Sequence, residues 1–94
     1  MAVKVFFIAK VKDLNDEYQN YNKRILALAK TNTGFISIES EEIGDIEITI
    51  STWKTQKHVY EWAYHPLHQE AKSKAGEWYE WIKSYHILTE DKNI

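Results

Sequence analysis

The 94-residue chain contains no cysteine, one proline, three isolated glycines and one methionine. Lack of cysteine excludes disulfides, thiolate metal sites, thiol nucleophiles and iron–sulfur ligation, and makes the cytoplasm the expected compartment. Three separate glycines with no Gly-x-Gly leave no loop to cradle a phosphate chain, so no nucleotide cofactor is expected. Pro66 is the only proline and no Gly- or Ser-rich stretch divides the sequence, so residues 1–94 read as a single domain. No apolar run approaches the ~20 residues of a membrane span. The N-terminal segment Met1-Ala-Val-Lys-Val-Phe-Phe-Ile-Ala-Lys10 returns to charge too soon for a signal peptide. A net charge of −2, with Lys and Arg scattered, gives no basic field, so neither nucleic acid nor an anionic membrane is expected as a partner.

What the chain does have is aromatic surface: four Trp, six Tyr and three Phe in a domain too small to build a large core. Val3, Val5, Phe7, Ala9 and Val11 alternate with Lys4 and Lys10, the period of a strand. From Asp13 the spacing of Tyr18, Tyr21, Ile25, Leu28 and Ala29 becomes helical, with Asp13 or Asn15 as the cap. The helix runs out in Lys30-Thr-Asn-Thr-Gly34, where Asn32 and Gly34 suit a positive-φ exit. Two strands follow, Phe35–Glu39 and Ile46–Ile50, joined as a hairpin around Ile43-Gly44-Asp45.

A second helix is expected from Thr55, turning Val59, Trp62, Ala63 and Leu67 toward the sheet, with a kink or restart at Pro66. After Gly76 a last strand alternates Tyr79, Trp81, Lys83, Tyr85, Ile87 against Trp78, Glu80, Ile82, Ser84, His86. The order is βαββαβ, an α+β ferredoxin-like fold with a four-stranded antiparallel sheet and two helices on one face. The other sheet face is left bare. At ~25 cal/mol per Å2 and roughly 150–250 Å2 per aromatic, burying Tyr79, Trp81 and Tyr85 is worth on the order of 10 kcal/mol as an upper bound. A homodimer with two sheets face to face, closing an α/β barrel, covers that surface.

Several residues combine into a more specific pattern: Gly34-Phe35 opening strand two, Trp53 ending strand three, Trp62 nine residues on, then His68, Gly76 and Trp78-Tyr79. This order resembles the antibiotic biosynthesis monooxygenase family, whose members are small dimeric α+β barrels. The resemblance covers the chain from strand one to about Tyr85. It implies a cofactor-independent monooxygenase acting on a polycyclic phenol or quinol-like molecule, or alternatively a non-catalytic binding protein for heme or another planar ligand. Fold alone does not choose between enzyme and binding protein.

On this resemblance Trp62 overlies a cavity between helices and sheet, and a small aromatic ligand would be held by Trp53, Trp62, Tyr60 or Tyr64, Phe7 and His68. Trp53 and Trp62 suit stacking on a flat ring, and they equally suit a core. His68 is the candidate acid or base, since imidazole ordinarily titrates near neutral pH. On an uninterrupted helix His68 would lie with Glu61, His65 and Lys72 opposite the Val59–Ala63–Leu67 stripe. Only a phase reset at Pro66 brings it to the edge of Leu67–Ala71–Ala75. His65-Pro-Leu-His68 with Glu61 is a weak metal pattern, and no metal is assigned. His58 and His86 read as surface residues.

Two departures from the family's active branches are plain. The heme-degrading branch pairs an asparagine on strand one with a helix Trp and a His ten residues later; this chain has Phe6-Phe7-Ile8, Trp62 and Lys72. The phenol-oxidising branch places Asn four residues before the strand-three Trp and Tyr six after it; here Thr49 and Val59 stand there. Thr49 is then the expected hydrogen-bond partner of a substrate oxygen, and Tyr60 or Tyr64 the replacement phenol.

Overall fold

The computed structural model describes residues 2–89. The elements are β1 (Ala2–Val11), α1 (Asp16–Thr31), β2 (Phe35–Ile43), β3 (Ile46–Trp53), α2 (Gln56–Ala63), α3 (Pro66–Trp78) and β4 (Tyr79–Thr89). The strands form one antiparallel sheet in the order β2-β3-β1-β4, and the helices pack on one face of it. This is the ferredoxin-like arrangement expected, with three helices instead of two.

The extra helix comes from Pro66. Helix α2 is capped by Thr55, whose Oγ1 accepts from His58 N at 3.2 Å, and it ends at Ala63. Pro66 then occupies the first turn of a new helix, where its missing N–H costs no hydrogen bond. His65 caps that helix, its Nδ1 accepting from Leu67 N at 3.1 Å. Helix α3 runs through Gly76 to Trp78, so Trp78 belongs to the helix and is not part of the last strand.

The exit from α1 also differs from expectation. Asn15 is the cap at its start, accepting from Tyr18 N at 3.0 Å, but neither Asn32 nor Gly34 takes a positive φ at its end. Asn32 is extended; its Oδ1 accepts from Gly34 N at 2.8 Å and its Nδ2 donates to His58 O at 3.2 Å. Gly34 is needed for space, since a Cβ there would fall on the His58 side chain. His58 is therefore half-buried against the α1–β2 connection, contrary to a surface reading, with Nδ1 2.6 Å from Thr55 Oγ1. The positive φ occurs at Gly44 (63°), the first of two residues turning β2 into β3, where a tight hairpin favours glycine.

Register decides which side chains meet the helices. Val3, Val5, Phe7 and Ala9 of β1 lie opposite Trp53, Ser51, Thr49 and Glu47 of β3, and opposite Leu88, His86, Ser84 and Ile82 of β4. These form the helix-facing side. A bulge at the start of β4 pairs Val11 with Tyr79 and Lys10 with Trp81, which turns Tyr79 into the core at 6% exposure. The expected alternation of Tyr79 with Trp81 and Tyr85 on the bare face thus fails at Tyr79 and holds from Trp81 onward. Trp81 and Tyr85 remain 40% and 50% exposed on the face away from the helices. Phe6, Ile8, Ile46, Ile48, Ile50 and Ile87 share that face by strand parity.

Two apolar clusters anchor the layers. Val3, Val5, Ala29, Trp53 and Val59 form one, packed by Phe35 and Trp62; Ala9, Tyr21, Ala71, Trp78 and Tyr79 form the other, packed by Phe7, Tyr18 and Ile25 among others. Among the described residues no helix is long and apolar enough to cross a membrane.

Candidate functional site

Residues from both clusters line a partly open cavity of about 490 Å3 between the sheet and the three helices. That size is within the range of small-molecule sites. Its roof is mostly apolar, with Tyr21 and Ile25 from α1, Trp62 from α2, and His68, Ala71 and Trp78 from α3. Its floor is mostly polar. One row across the sheet is Ser40, Thr49, Phe7 and Ser84, and the next is Ile38, Ser51, Val5 and His86.

An aromatic chain links the core to one end of this space. The Phe35 and Trp53 ring centroids are 5.4 Å apart, Trp53 and Trp62 4.9 Å, and Trp62 and His68 4.4 Å with the planes at 72°. Trp62 Nε1 donates to Ile25 O at 3.1 Å, which fixes the indole between α1 and α2. The phase reset at Pro66 turns His68 inward, as the sequence required for it to reach the cavity. Burial, then the Lys72 ammonium, lowers the His68 pKa from 6.5 to about 4, with the Trp62 carbonyl opposing. The imidazole is therefore neutral at physiological pH, and its buried Nδ1 has no well-formed hydrogen bond among the described residues. Trp78 Nε1 is likewise buried and unpartnered. Unsatisfied buried polar groups are uncommon, and both of these belong to α3 residues that line the same cavity.

The opposite end holds a residue that the sequence reading did not single out. Glu47 is only 7% exposed. Its Oε1 accepts from Tyr79 Oη at 3.0 Å and, at 3.4 Å, from Tyr18 Oη; its Oε2 accepts from Thr49 Oγ1 at 3.1 Å. Burial raises the pKa of Tyr79 and of Tyr18, and the nearby Glu47 charge adds to both. The phenols therefore stay protonated as donors. Glu47 could have been found from strand parity, because it shares a face with Ser51 and the inward Trp53.

The expected site residues thus separate into two groups. Phe7, Thr49, Trp62 and His68 line the cavity, whereas Trp53, Tyr60 and Tyr64 do not. Trp53 is wholly buried and its Nε1 donates to Ser51 Oγ at 2.9 Å, so it is a core residue. Tyr60 and Tyr64 are 46% and 66% exposed and pack on each other at 5.6 Å, one helical turn apart on the outer face of α2. Thr49 is present but its proton is committed to Glu47, so it has none to offer a substrate carbonyl. His86 is exposed, as read, and also borders the cavity, its Nδ1 2.8 Å from Gln56 Nε2. Among the described residues no group of three or more His, Asp or Glu is placed to hold a metal ion.

No protein-family model matches this chain, and no curated protein matches it. Solved structures do. Rv0793 of Mycobacterium tuberculosis superposes with a TM-score of 0.81 over 98% of this chain and 98% of its own, at 12% identity. SnoaB, a cofactor-independent oxygenase from Streptomyces nogalater, gives 0.78 over 97% and 95% at 11% identity. A Nitrosomonas europaea protein provisionally described as an antibiotic biosynthesis monooxygenase gives 0.75 over 92% and 88% at 12% identity. At such identities the likeness is one of fold. The chain has the α+β fold of antibiotic-biosynthesis-monooxygenase-type proteins, with its cavity between the helices and the sheet.

Proposed function

We propose that the protein is a cofactor-independent monooxygenase acting on a polycyclic phenol or quinol-like molecule. The observation that carries this reading is the partly open 490 Å3 cavity, in which Trp62 and His68 meet edge to face beside an aromatic roof and a hydroxyl-lined floor. The shared fold with a cofactor-independent oxygenase supports it. In such a reaction a ring CH2 activated by a neighbouring hydroxyl or carbonyl loses a proton, and the carbanion gives its electrons to O2. One oxygen atom ends as the new C=O, and the other leaves as water with the two hydrogens. The substrate supplies all four electrons.

In this scheme Trp62 stacks on the substrate, and neutral His68 accepts a hydrogen bond, and transiently the proton, at Nδ1. Oxygen uptake by the purified protein with reduced polycyclic phenols and no added cofactor tests the reading. Uptake above the uncatalysed rate, reduced in Trp62→Phe and His68→Ala, supports it; no uptake with any compound counts against it.

One observation favours a second reading, a protein that holds a planar ligand without turning it over. With a pKa of about 4, His68 is a weak base for a carbon or phenol proton. Heme does not suit the donor set, since its two propionates would enter a cavity containing the Glu47 carboxylate, with Lys72 the one Lys or Arg among the lining residues. A neutral planar ligand meets no such charge conflict.

We further propose that the active form is a homodimer. On β3 the isoleucines face away from the helices while Glu47, Thr49 and Ser51 face the cavity, so the bare face has an apolar centre, with Lys4, Lys10, Lys83, Glu39 and Glu41 among its residues. Covering Trp81, Tyr85 and Ile87 with a second sheet removes that surface from water. Light scattering at micromolar concentration should give twice the chain mass, and a monomeric mass would exclude the dimer.

A further inference from the structure

The hydroxyl groups around Glu47 have a definite hydrogen-bond direction. Tyr79 spends its proton on Oε1 at 3.0 Å, the Tyr18 hydroxyl lies 3.4 Å from the same oxygen and beside the Tyr79 hydroxyl, and Thr49 spends its proton on Oε2. Ser40 Oγ lies 2.8 Å from Thr49 Oγ1; with the Thr49 proton already used, Ser40 is the donor in that pair. Every hydroxyl in the chain from Ser40 through Thr49, and from both tyrosines, is therefore oriented toward the carboxylate. What this end of the cavity offers a ligand is lone pairs: those left on Glu47, which accepts three bonds of about four it can take, and those on the two phenol oxygens. These oxygens accept a proton donor and have no proton to offer a carbonyl, a carboxylate or a phosphate.

The charge is also uncompensated. No Lys, Arg or His forms a salt bridge with Glu47 among the described residues. A buried carboxylate held by neutral hydroxyls alone still gains from a further donor. The two phenols that hold it pack on further aromatic rings, with Phe7 and Tyr79 centroids 5.5 Å apart and Tyr18 and Trp78 5.4 Å apart. Trp78, which packs on Tyr18 and lines the same cavity, carries an unpartnered indole N–H. A group that both donates and accepts satisfies that set, which a hydroxyl does and an ammonium does not.

We propose that the Glu47–Tyr18–Tyr79 end of the cavity is a hydroxyl-specific subsite, in which Glu47 accepts a hydrogen bond from a phenolic hydroxyl on the aromatic ligand. The proposal rests on the reading of the cavity as an aromatic-ligand site. It adds the group by which the ligand is selected and the end at which it is oriented. His68, beside Trp62, serves the other end of the same molecule.

Calorimetric titration with four naphthalenes of similar size separates the subsite from the reading beneath it. The probes are 2-naphthol, 2-methoxynaphthalene, 2-naphthoate and 2-naphthylmethylammonium. A hydrogen bond to a charged group predicts that the wild-type protein binds 2-naphthol about tenfold to a hundredfold more tightly than the methyl ether. Naphthoate should bind more weakly than the ether. In Glu47→Gln the naphthol-to-ether ratio should fall to within about threefold, because the new amide N–H can donate to the ether oxygen. Equal binding of naphthol and ether to the wild type overturns the subsite while leaving an aromatic-binding cavity. Tighter binding of the ammonium than of naphthol overturns the hydroxyl assignment. No binding of any probe overturns the subsite together with the cavity reading. The wild-type ratio decides the matter even if Glu47→Gln does not fold.

Discussion

Burial of His68 ties the candidate site to the pH dependence of stability. In the unfolded chain its imidazole titrates at the ordinary value of 6.5, while burial, with the Lys72 charge adding, holds it near 4 in the fold. Between those values the unfolded chain binds the extra proton, so stability falls as pH falls from 6.5 to about 4 and is unaffected by this group above neutral pH. At about 1.36 kcal/mol per pH unit the ceiling is about 3.4 kcal/mol, and partial solvent access to the ring brings the expected loss to about 2 kcal/mol. Urea denaturation of the wild type and His68→Gln at pH 7, 5.5 and 4 measures it, because the other titrating groups cancel in the difference. The wild type should lose about 2 kcal/mol relative to the variant over this range. Parallel stability profiles for the two proteins would refute the buried, neutral His68, and with it the inward phase of α3.

Trp53 carries more packing than any other single side chain named above, being fully buried between Phe35 and Trp62. Trp53→Ala should cost about 3–5 kcal/mol in chemical denaturation, whereas Tyr64→Ala, on the exposed face of α2, should stay within about 0.5 kcal/mol. Gly34→Ala should be destabilised by about 1–3 kcal/mol through collision with the His58 side chain. In a double-mutant cycle His58→Ala should remove most of that cost, and additive effects would show that backbone freedom at Gly34 is the cause instead. Tyr79→Phe removes a donor from the buried Glu47 and should lose about 1–3 kcal/mol by the same assay.

Strand and helix positions were largely legible because each element has a strong period and clear punctuation. The alternation of Val3, Val5 and Ala9 against Lys4 and Lys10 specifies β1 and its buried side. Pro66 dictates a break, and with the break comes the inward turn of His68, a local consequence of proline's missing amide proton. Trp62 and Phe7 were found because large aromatics on the core-facing side of an element line whatever space that side encloses.

Local pattern misleads where a nonlocal contact overrides it. Tyr60 and Tyr64 are chemically suited to a ligand, but the short α2 turns one flank to Val59 and the sheet and leaves these two in solvent. Regular strand alternation predicts Tyr79 on the bare face, and one bulged residue reverses it. Glu47 was missed for a related reason. In Ile46-Glu-Ile-Thr-Ile the polar positions resemble the solvent side of an ordinary strand, and only pairing with β1 shows that this side carries the cavity.

Local periodicity and side-chain type specify the order of elements, the restart at Pro66 and the aromatic character of the space between helices and sheet. Tertiary structure decided which polar groups share that space. Strand register and one bulge bring Glu47, Tyr18 and Tyr79 together from three different elements, and only their mutual burial orients each hydroxyl proton toward the carboxylate.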